Sequence, residues 1–492
     1  MFRVLCLSLL VVSLMFSWAS AGATARPNVV IFLVDDLGYA DVGCFGAKAY
    51  KTPHLDRMAE EGIRLTSFYV SQAVCSASRA SLMTGCYANR VGMQGALNHT
   101  SRDGINPTEY LLPEFLHDEG YACGIYGKWH LGTTMMFHPL KHGFDDYLGI
   151  PYSNDNSRYH PVLGGEMPPL PLYEDDRIIE LDPDQRQFTR RFTEHAVRFI
   201  EENRERPFLV YLPHVMPHVP IFANPDFLGT SGGGLWGDVV TELDWSMGQI
   251  LATLKRCGVD DNTLVMFWSD NGPFLSYGEH AGHAEPFREG KLTSYEGGVR
   301  VPFIARWPGR IPAGSVSDAP VMEIDILPTL ASLLGEELPQ DRELDGKDIT
   351  PVLLGEEGAR SPHEALFFWA GEELQAVRSG HWKLHFDHSY ITVAGEPGKN
   401  GKPSNWENMK PVSITQSGIH GIASRHGYKV AEQPLALYDL SQDPGETKNL
   451  ASDHPDVVQR LTELAVPMRA ALGDKITQTP AAAARPLGHD AD

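Results

Sequence analysis

Cys75 and Arg79 stand four residues apart in the run Cys75-Ser76-Ala77-Ser78-Arg79. If this run begins a helix, both side chains lie on the same side of its first turn. The N-terminal end of a helix carries a partial positive charge and unpaired N–H groups, which favour a bound anion. The spacing therefore predicts a site where the cysteine side chain meets an anionic ligand.

Two acidic pairs predict a metal site. Asp35 and Asp36 follow one apolar run of the sequence, and Asp270 and Asn271 follow another. Carboxylate and amide oxygens are hard ligands suited to Ca²⁺ or Mg²⁺. Each pair taken alone is more typical of a turn or a helix cap. Together, on neighbouring strand ends, the two pairs favour a divalent cation.

Five further basic or imidazole side chains also stand near the ends of apolar runs: Lys128, His130, His214, His218 and Lys291. A single lysine or histidine is usually a solvated surface group or a hydrogen-bonded core residue. Gathered with Arg79 around one divalent cation, such groups would form a deep pocket for a tetrahedral dianion.

The elements that must position these residues indicate an α/β fold. Short apolar runs, typical of strands buried on both faces, occur at 29–34, 121–126, 208–212, 264–268 and 303–307. Helical patterns lie between them at 52–61, 188–203 and 239–256. This alternation predicts a mostly parallel central sheet sandwiched by helices. The polar residues follow the carboxyl ends of four of these strands, which is the edge where open α/β sheets bind ligands.

The sequence changes character after about residue 354. Strand-like segments at 375–378, 382–386 and 435–440 and a helix at 455–472 predict a smaller α+β domain on a short antiparallel sheet, spanning 355–476. Residues 394–427 are typical of a long loop. The Ala/Pro-rich segment 477–492 is expected to be a disordered tail.

Composition restricts the class of partner. The chain has 492 residues, enough for more than one domain, and a formal net charge of −22. This charge argues against a nucleic-acid or anionic-membrane partner. A polyanionic substrate would therefore need a local basic pocket.

The N-terminus has the pattern of a signal peptide at residues 1–25. Arg3 precedes an apolar run at 4–18, and small residues follow at 19–25. We expect export to a periplasmic, secreted or lysosome-like compartment, with an uncleaved anchor as the alternative. Five cysteines then remain, and if Cys75 is set aside for chemistry, Cys44, Cys86, Cys123 and Cys257 could form at most two disulfides. The sequence leaves their pairing open.

The motifs together resemble a known family. The run at 75–85 resembles the type I sulfatase signature, and Lys128-Trp129-His130-Leu131-Gly132 resembles the second signature of that family. The acidic pairs and Lys291, with the Tyr-Glu-Gly-Gly at 295–298, match it in order and spacing. The resemblance spans about 26–332, returns at 437–446 and is closest to the arylsulfatase A-like group of the alkaline phosphatase superfamily. Two positions depart from the usual pattern: Ala77, where proline is commoner, and Cys86, where arginine often stands.

The resemblance implies a chemistry. A formylglycine-generating maturation enzyme would oxidise Cys75 to Cα-formylglycine, whose hydrate attacks sulfur and then releases sulfate. The implied Ca²⁺ ligands are Asp35, Asp36, Asp270 and Asn271. In the implied catalytic set, Arg79 and His130 orient the hydrate, Lys128 and Lys291 hold sulfate oxygens, and His218 meets the leaving-group oxygen. His218 matches better than His214 because it stands two residues before a proline.

The sequence thus predicts an exported sulfuric ester hydrolase acting on an aryl sulfate or a sulfated carbohydrate. A phosphate or phosphonate ester hydrolase of the same superfamily and an unmodified protein that binds sulfated glycans are the alternatives. Loops at 133–175 and 385–430 are candidates for recognising the leaving group, although ordinary loop chemistry explains most of their residues. The candidate side chains there are Tyr152, Arg158, His160, His388, Trp406, His420, Arg425 and His426.

Overall fold

The computed structural model describes residues 26–408 and 418–491, so the predicted signal peptide lies outside the described residues. The strands are β1 (Asn28–Val34), β2 (Ile63–Tyr69), β3 (Asp103–Gly104), β4 (Ala122–Lys128), β5 (Asp146–Ile150), β6 (Pro171–Glu174), β7 (Arg177–Leu181), β8 (Phe208–Pro213), β9 (Thr263–Ser269), β10 (Arg300–Arg306), β11 (Ser315–Ser317), β12 (Val321–Met322), β13 (Leu366–Ala370), β14 (Glu373–Ser379), β15 (Trp382–His385), β16 (His388–Val393), β17 (Tyr428–Gln433), β18 (Ala436–Asp439) and β19 (Gly488–His489). The α-helices are α1 (Pro53–Glu60), α2 (Cys75–Thr84), α3 (Leu112–Asp118), α4 (Phe188–Asn203), α5 (Gly234–Cys257), α6 (Glu296–Val299), α7 (Ile326–Leu334), α8 (Thr350–Leu353), α9 (Gly418–His426) and α10 (Pro455–Leu472).

A large central sheet organises the chain. Its order is β11-β2-β10-β9-β1-β8-β4-β5-β6-β7, with β12 also beside β2. Strand β1 runs parallel to β8 and β9, and β4 runs parallel to β8 and β5. Every residue of β1, β4, β8 and β9 is buried, as expected for parallel strands covered on both faces. The predicted mostly parallel α/β fold is confirmed.

Helices cover both faces of this sheet. Ile31 and Leu33 of β1 join an apolar cluster with α2, α3 and α7, whereas Val30 and Phe32 join a second cluster with α1, α4 and α5. Side chains alternate between faces along a strand, so one unbroken apolar run supplies both layers.

One edge of the sheet holds the carboxyl ends of the strands that precede the candidate residues. The parallel strands β1, β4, β5, β8 and β9 all end there. Strand β2, which the sequence analysis did not identify, is antiparallel to β10, and β10 is antiparallel to β9. Consequently β2 is parallel to β9, and its carboxyl end leads into α2 at the same edge.

The C-terminal part contains the predicted antiparallel sheet, in the order β13-β14-β15-β18, with α10 packed against it. The segment 394–427 predicted as a long loop differs in part, because α9 occupies Gly418–His426, whereas β16 and β17 flank the segment and pair with each other. Residues 409–417 of that segment lie outside the described chain. The predicted boundary at 354/355 remains a prediction.

The C-terminal tail also differs from expectation. Strand β19 pairs with β3, and Arg485 Nε donates to Glu109 Oε1 at 2.7 Å. Arg485 Nη2 also donates to Cys86 Sγ at 3.4 Å. Composition predicts disorder over 477–492, but Glu109, which lies 376 residues before Arg485, helps to order the segment, and local composition carries no information about that partner.

Two further expectations concern cysteines and the membrane. Cys44, Cys75, Cys86, Cys123 and Cys257 are all free thiols, so no disulfide links the described residues. Within the same two stretches, no helix has the length and apolar character needed to cross a bilayer.

Candidate active site

Cys75 is the first residue of α2 and lies at the carboxyl edge of the sheet. Val74 precedes it in an extended conformation, and no side chain caps the helix N-terminus. Cys75 Sγ lies 3.2 Å from Lys291 Nζ and 3.5 Å from Asp35 Oδ1. Burial, reinforced by Asp35, raises the pKa of the thiol to about 12. The encoded thiol is therefore neutral near pH 7 and a weak nucleophile.

Arg79 joins α2 to three strand ends. Its Nε and Nη2 donate to Asp270 Oδ2 at 3.0 and 2.9 Å, and Nη2 also donates to Asp35 Oδ2 at 3.1 Å. Its Nη1 donates to the carbonyl of Lys128 at 2.6 Å. The guanidinium is fully buried, so these bonds fix the position of Cys75 relative to the carboxylates.

The acidic residues form one buried group. Asp36 Oδ1 accepts hydrogen bonds from Lys291 Nζ at 2.6 Å and Asn271 Nδ2 at 2.7 Å. The backbone N–H of Asp36 donates to Asp270 Oδ1 at 3.3 Å. Burial raises the pKa of Asp36, although Lys291 opposes the shift. Burial also favours a higher pKa for Asp35, but Lys128 and the other nearby basic groups outweigh it and hold the pKa well below the usual range.

This group fits a hard cation. Asp36 Oδ2 and Asn271 Oδ1 are buried and have no hydrogen-bond partner among the described residues. Ligand atoms of Asp35, Asp36, Cys75 and His218 all lie within 4.8 Å of one another. Buried oxygens without partners are costly, and a bound cation would satisfy them. Asp270, the remaining predicted ligand, already accepts hydrogen bonds at both oxygens.

Lys128 and His130 enter the same site from the end of β4. Lys128 Nζ donates to Asp35 Oδ2 at 2.6 Å. His130 Nε2 lies 2.7 Å from the carbonyl oxygen of Leu97, which can only accept. Burial lowers the pKa of His130 well below its usual value. The ring is therefore neutral, with the proton on Nε2 and an unpaired acceptor at Nδ1.

The structure separates the two histidines that follow β8. His218 lines the cavity above Cys75, and its Nε2 lies 3.7 Å from Asp36 Oδ2. Its Nδ1 donates to the carbonyl of Val219 at 2.6 Å, and burial lowers the pKa of the ring to about 3. His214 instead packs on Phe32 and bonds to Ser246 of α5 at 3.0 Å, outside the cavity lining.

The site forms part of a cavity of about 610 Å³. Ser153, which the sequence analysis did not identify, lies there with its hydroxyl 3.3 Å from Lys128 Nζ and 3.4 Å from His218 Nε2. It follows β5, a short strand that the apolar pattern did not reveal. Of the eight loop residues expected to contact a leaving group, Arg425 and His426 line the cavity. The other six are not part of the lining that the described residues form: Tyr152, Arg158, His160, His388, Trp406 and His420.

A mostly parallel α/β sheet whose edge gathers buried carboxylates and cations around Cys75 is the kind of site that enzymes acting on tetrahedral anions use. Residues 27–336 match the Sulfatase family model, and residues 361–486 match the C-terminal region of aryl-sulfatase. Residues 289–384 also match the model for the C-terminal part of N-sulphoglucosamine sulphohydrolase. The chain belongs to the sulfatase family.

Similar proteins cover nearly the whole chain. N-acetylgalactosamine-6-sulfatase of Canis lupus familiaris is 37% identical over 468 residues, which cover 90% of this chain and 86% of the relative. Arylsulfatase A of Homo sapiens is 36% identical over 500 residues, which cover 96% and 94%. The crystal structure of PsFucS1 sulfatase from Pseudoalteromonas sp. matches with a TM-score of 0.77 at 26% identity, covering 94% of this chain and 92% of that chain. The protein is therefore a sulfuric ester hydrolase.

Proposed function

We propose that the protein is an exported, formylglycine- and Ca²⁺-dependent sulfatase that acts on sulfated carbohydrates, with aryl sulfates as simpler substrates. One observation carries the proposal. Cys75 is held between Lys291 and Asp35, yet burial raises the pKa of its thiol to about 12. A side chain so well placed and so poorly ionised is better explained as the precursor of another nucleophile than as the nucleophile itself.

Conversion of Cys75 to Cα-formylglycine would supply, as its hydrate, one hydroxyl that attacks sulfur and a second whose loss of a proton releases sulfate. Ca²⁺ held by Asp35, Asp36, Asp270 and Asn271 would supply positive charge for the sulfate oxygens. Every other role belongs to side chains of this chain.

Lys128 and Lys291 bind sulfate oxygens and offset the charge that develops during transfer, and Ser153 adds a hydroxyl donor between Lys128 and His218. His130 is neutral with an unpaired Nδ1, so besides orienting the hydrate it can accept a proton during sulfate release. His218 meets the leaving-group oxygen. Because the pKa of the His218 ring is low in the free protein, the negative charge of the bound substrate must stabilise the protonated ring before the ring can donate a proton.

The carbohydrate substrate is supported by the size of the cavity and by the relatives. A cavity of about 610 Å³ accommodates a sugar, and one of the most similar relatives bears the name N-acetylgalactosamine-6-sulfatase.

Mass spectrometry of the peptide spanning residues 75–79, from protein made in its natural host, tests the modification. We expect the aldehyde or its hydrate, and an unmodified thiol would contradict the catalytic proposal. Turnover of matched aryl sulfate and aryl phosphate tests the reaction, because faster phosphate hydrolysis would favour the phosphate or phosphonate ester hydrolase. The N-terminal sequence of the mature protein tests export, since retention of residues 1–25 in a soluble cytoplasmic protein would contradict it.

A further inference from the structure

The loop after β5 places a carboxylate beside the proposed leaving-group histidine. Asp155 lines the cavity next to Ser153, is only 8% exposed and is close enough to His218 for an electrostatic interaction with that ring. Its Oδ1 accepts a hydrogen bond from Asn156 Nδ2 at 2.9 Å. Asn156 Oδ1 in turn accepts the backbone N–H of His99 at 3.2 Å. Because a backbone N–H can only donate, this chain of bonds fixes the orientation of both side chains.

The other carboxylate oxygen of Asp155 is available to a ligand. Oδ2 accepts no hydrogen bond from the described residues, and His160 Nε2 lies 3.9 Å from it. Burial opposes ionisation of Asp155, but the surrounding His218, His160 and His426 rings and Lys128 hold its pKa below the usual range. The cavity wall therefore presents a charged acceptor whose hydrogen-bonding capacity is unfilled, and a donor on the substrate would satisfy it.

The rest of the described lining carries more carboxylates than fixed cations, although Arg425 is close enough to Asp155 for an electrostatic interaction. Away from the side chains around Cys75, the cavity is lined by the carboxylates of Asp155, Glu372 and Glu373. The cationic side chains of Arg425 and Lys475 also line it. Lys475 lies 3.8 Å from Glu372, which offsets its charge. A carboxylate or second sulfate placed beside the reacting ester would meet Asp155 at close range in a desolvated pocket.

Resting on the proposed sulfatase function, we propose that Asp155 determines specificity. It accepts a hydrogen bond from a hydroxyl or amide N–H next to the sulfated carbon, and it excludes an anionic group at that position. The preferred substrates are therefore sulfated sugars whose adjacent substituent is an uncharged donor, rather than sugars carrying two neighbouring anionic groups.

The test is Asp155→Asn. Because Asn156 Nδ2 still needs its acceptor, the new amide oxygen takes that bond and the new NH₂ faces the cavity, which converts an acceptor into a donor. The substrates are a monosulfated hexosamine, its deoxy analogue lacking the adjacent hydroxyl, the corresponding disulfated sugar and 4-nitrophenyl sulfate. Asp226→Asn removes the charge of an exposed aspartate that pairs with Arg190 and is the matched control.

We expect kcat/KM of Asp155→Asn to fall about 10-fold on the monosulfated sugar and to rise by a similar factor on the disulfated sugar. With the natural protein, kcat/KM for the deoxy analogue should be lower than for the monosulfated sugar by the same factor. Asp155→Asn should lower kcat/KM for the deoxy analogue little further. 4-Nitrophenyl sulfate should change less than about threefold. Equal loss on all four substrates would assign Asp155 a structural role, and no change on any of them would equally overturn the proposal.

A binding measurement keeps this test separate from the proposed function. The background for this measurement is Cys75→Ala, which cannot form the nucleophile. In it, binding affinities of the monosulfated and disulfated sugars, measured by calorimetry, should show the same reversal of preference when Asp155→Asn is added. If the natural protein hydrolyses no sulfate ester, the proposed function fails, and the binding comparison still decides the role of Asp155. If it hydrolyses sulfate esters but the preference does not shift, only the Asp155 proposal fails.

Discussion

Replacement of His218 should reveal how much the leaving group depends on a proton donor. In His218→Ala the imidazole near Asp36 Oδ2 is lost, whereas Lys128, Lys291 and Arg79 keep their contacts with the carboxylates. General acid catalysis contributes about 10²–10⁴ in rate. The Ser153 hydroxyl, 3.4 Å from His218 Nε2, remains as a weaker donor, so we expect a loss of about 10²–10³ in kcat/KM on a sugar sulfate. That factor corresponds to about 3–4 kcal/mol of transition-state stabilisation.

The leaving group makes this prediction specific. An alkoxide leaving a sugar carbon needs a proton as the S–O bond breaks, whereas 4-nitrophenolate is a stable anion that leaves unprotonated. The variant should therefore lose less than about 10-fold on 4-nitrophenyl sulfate. The assay is kcat/KM on both substrates for the natural protein and the variant, with the fraction of converted Cys75 measured in each preparation.

His214→Ala is the matched control. His214 is buried after the same strand but bonds to Ser246, so its loss should lower stability and affect both substrates by the same factor. An equal loss on both substrates in His218→Ala would refute the assignment, because it would mean that His218 organises the site rather than donating a proton.

The remaining predictions concern the metal and the buried charges that join the C-terminal sheet to the site. Chelation of Ca²⁺ should abolish activity and lower the melting temperature, because Asp36 Oδ2 would lose its partner; calcium addition should restore both, and full activity in excess chelator would exclude a required metal. Lys383→Met should lower the free energy of unfolding in urea at pH 7 by about 3–5 kcal/mol, because Lys383 Nζ lies 2.9 Å from Glu296 Oε1 and 3.1 Å from Glu446 Oε1. Lys475→Met, which breaks an exposed pair, should lower it by less than about 1 kcal/mol. Similar losses for both variants would contradict the reasoning. Burial opposes ionisation of Glu296, but Lys383 and nearby arginines lower its pKa from 4.5 to about 2, so its contribution of about 3 kcal/mol is present above pH 4.5 and is lost as the pH falls through 2. Unfolding free energies between pH 5 and 2 should therefore fall about 3 kcal/mol further in the natural protein than in Glu296→Gln, and parallel profiles would show that Glu296 does not carry this dependence.

The sequence could predict the parts of the site that follow unbroken apolar runs. Strands β1, β4, β8 and β9 are buried on both faces, so their composition alone identifies them, and the polar residues at or after their ends include Asp35, Lys128, His218 and Asp270. The shared direction of these strands then brings their ends to one edge.

The residues that escaped prediction follow less regular strands. Strand β2 alternates buried and half-buried residues over its first half, and β5 is only five residues long, so neither stands out as a core strand. Ser153 and Asp155 depend on β5 for their position. The order of the tail depends on Glu109 and Arg485, a long-range pair that no local pattern encodes.

The burial of Cys75 has a consequence for the order of events in the life of the chain. With 2% of its surface exposed and Arg79 locking α2 onto three strand ends, residue 75 cannot enter the active site of another enzyme once the sheet has formed. If Cys75 is converted, conversion must precede packing of α2, and folding and modification compete in time. A chain that folded first would then remain inactive, and the fraction of active protein would record how long the segment stayed accessible rather than how stable the final fold is.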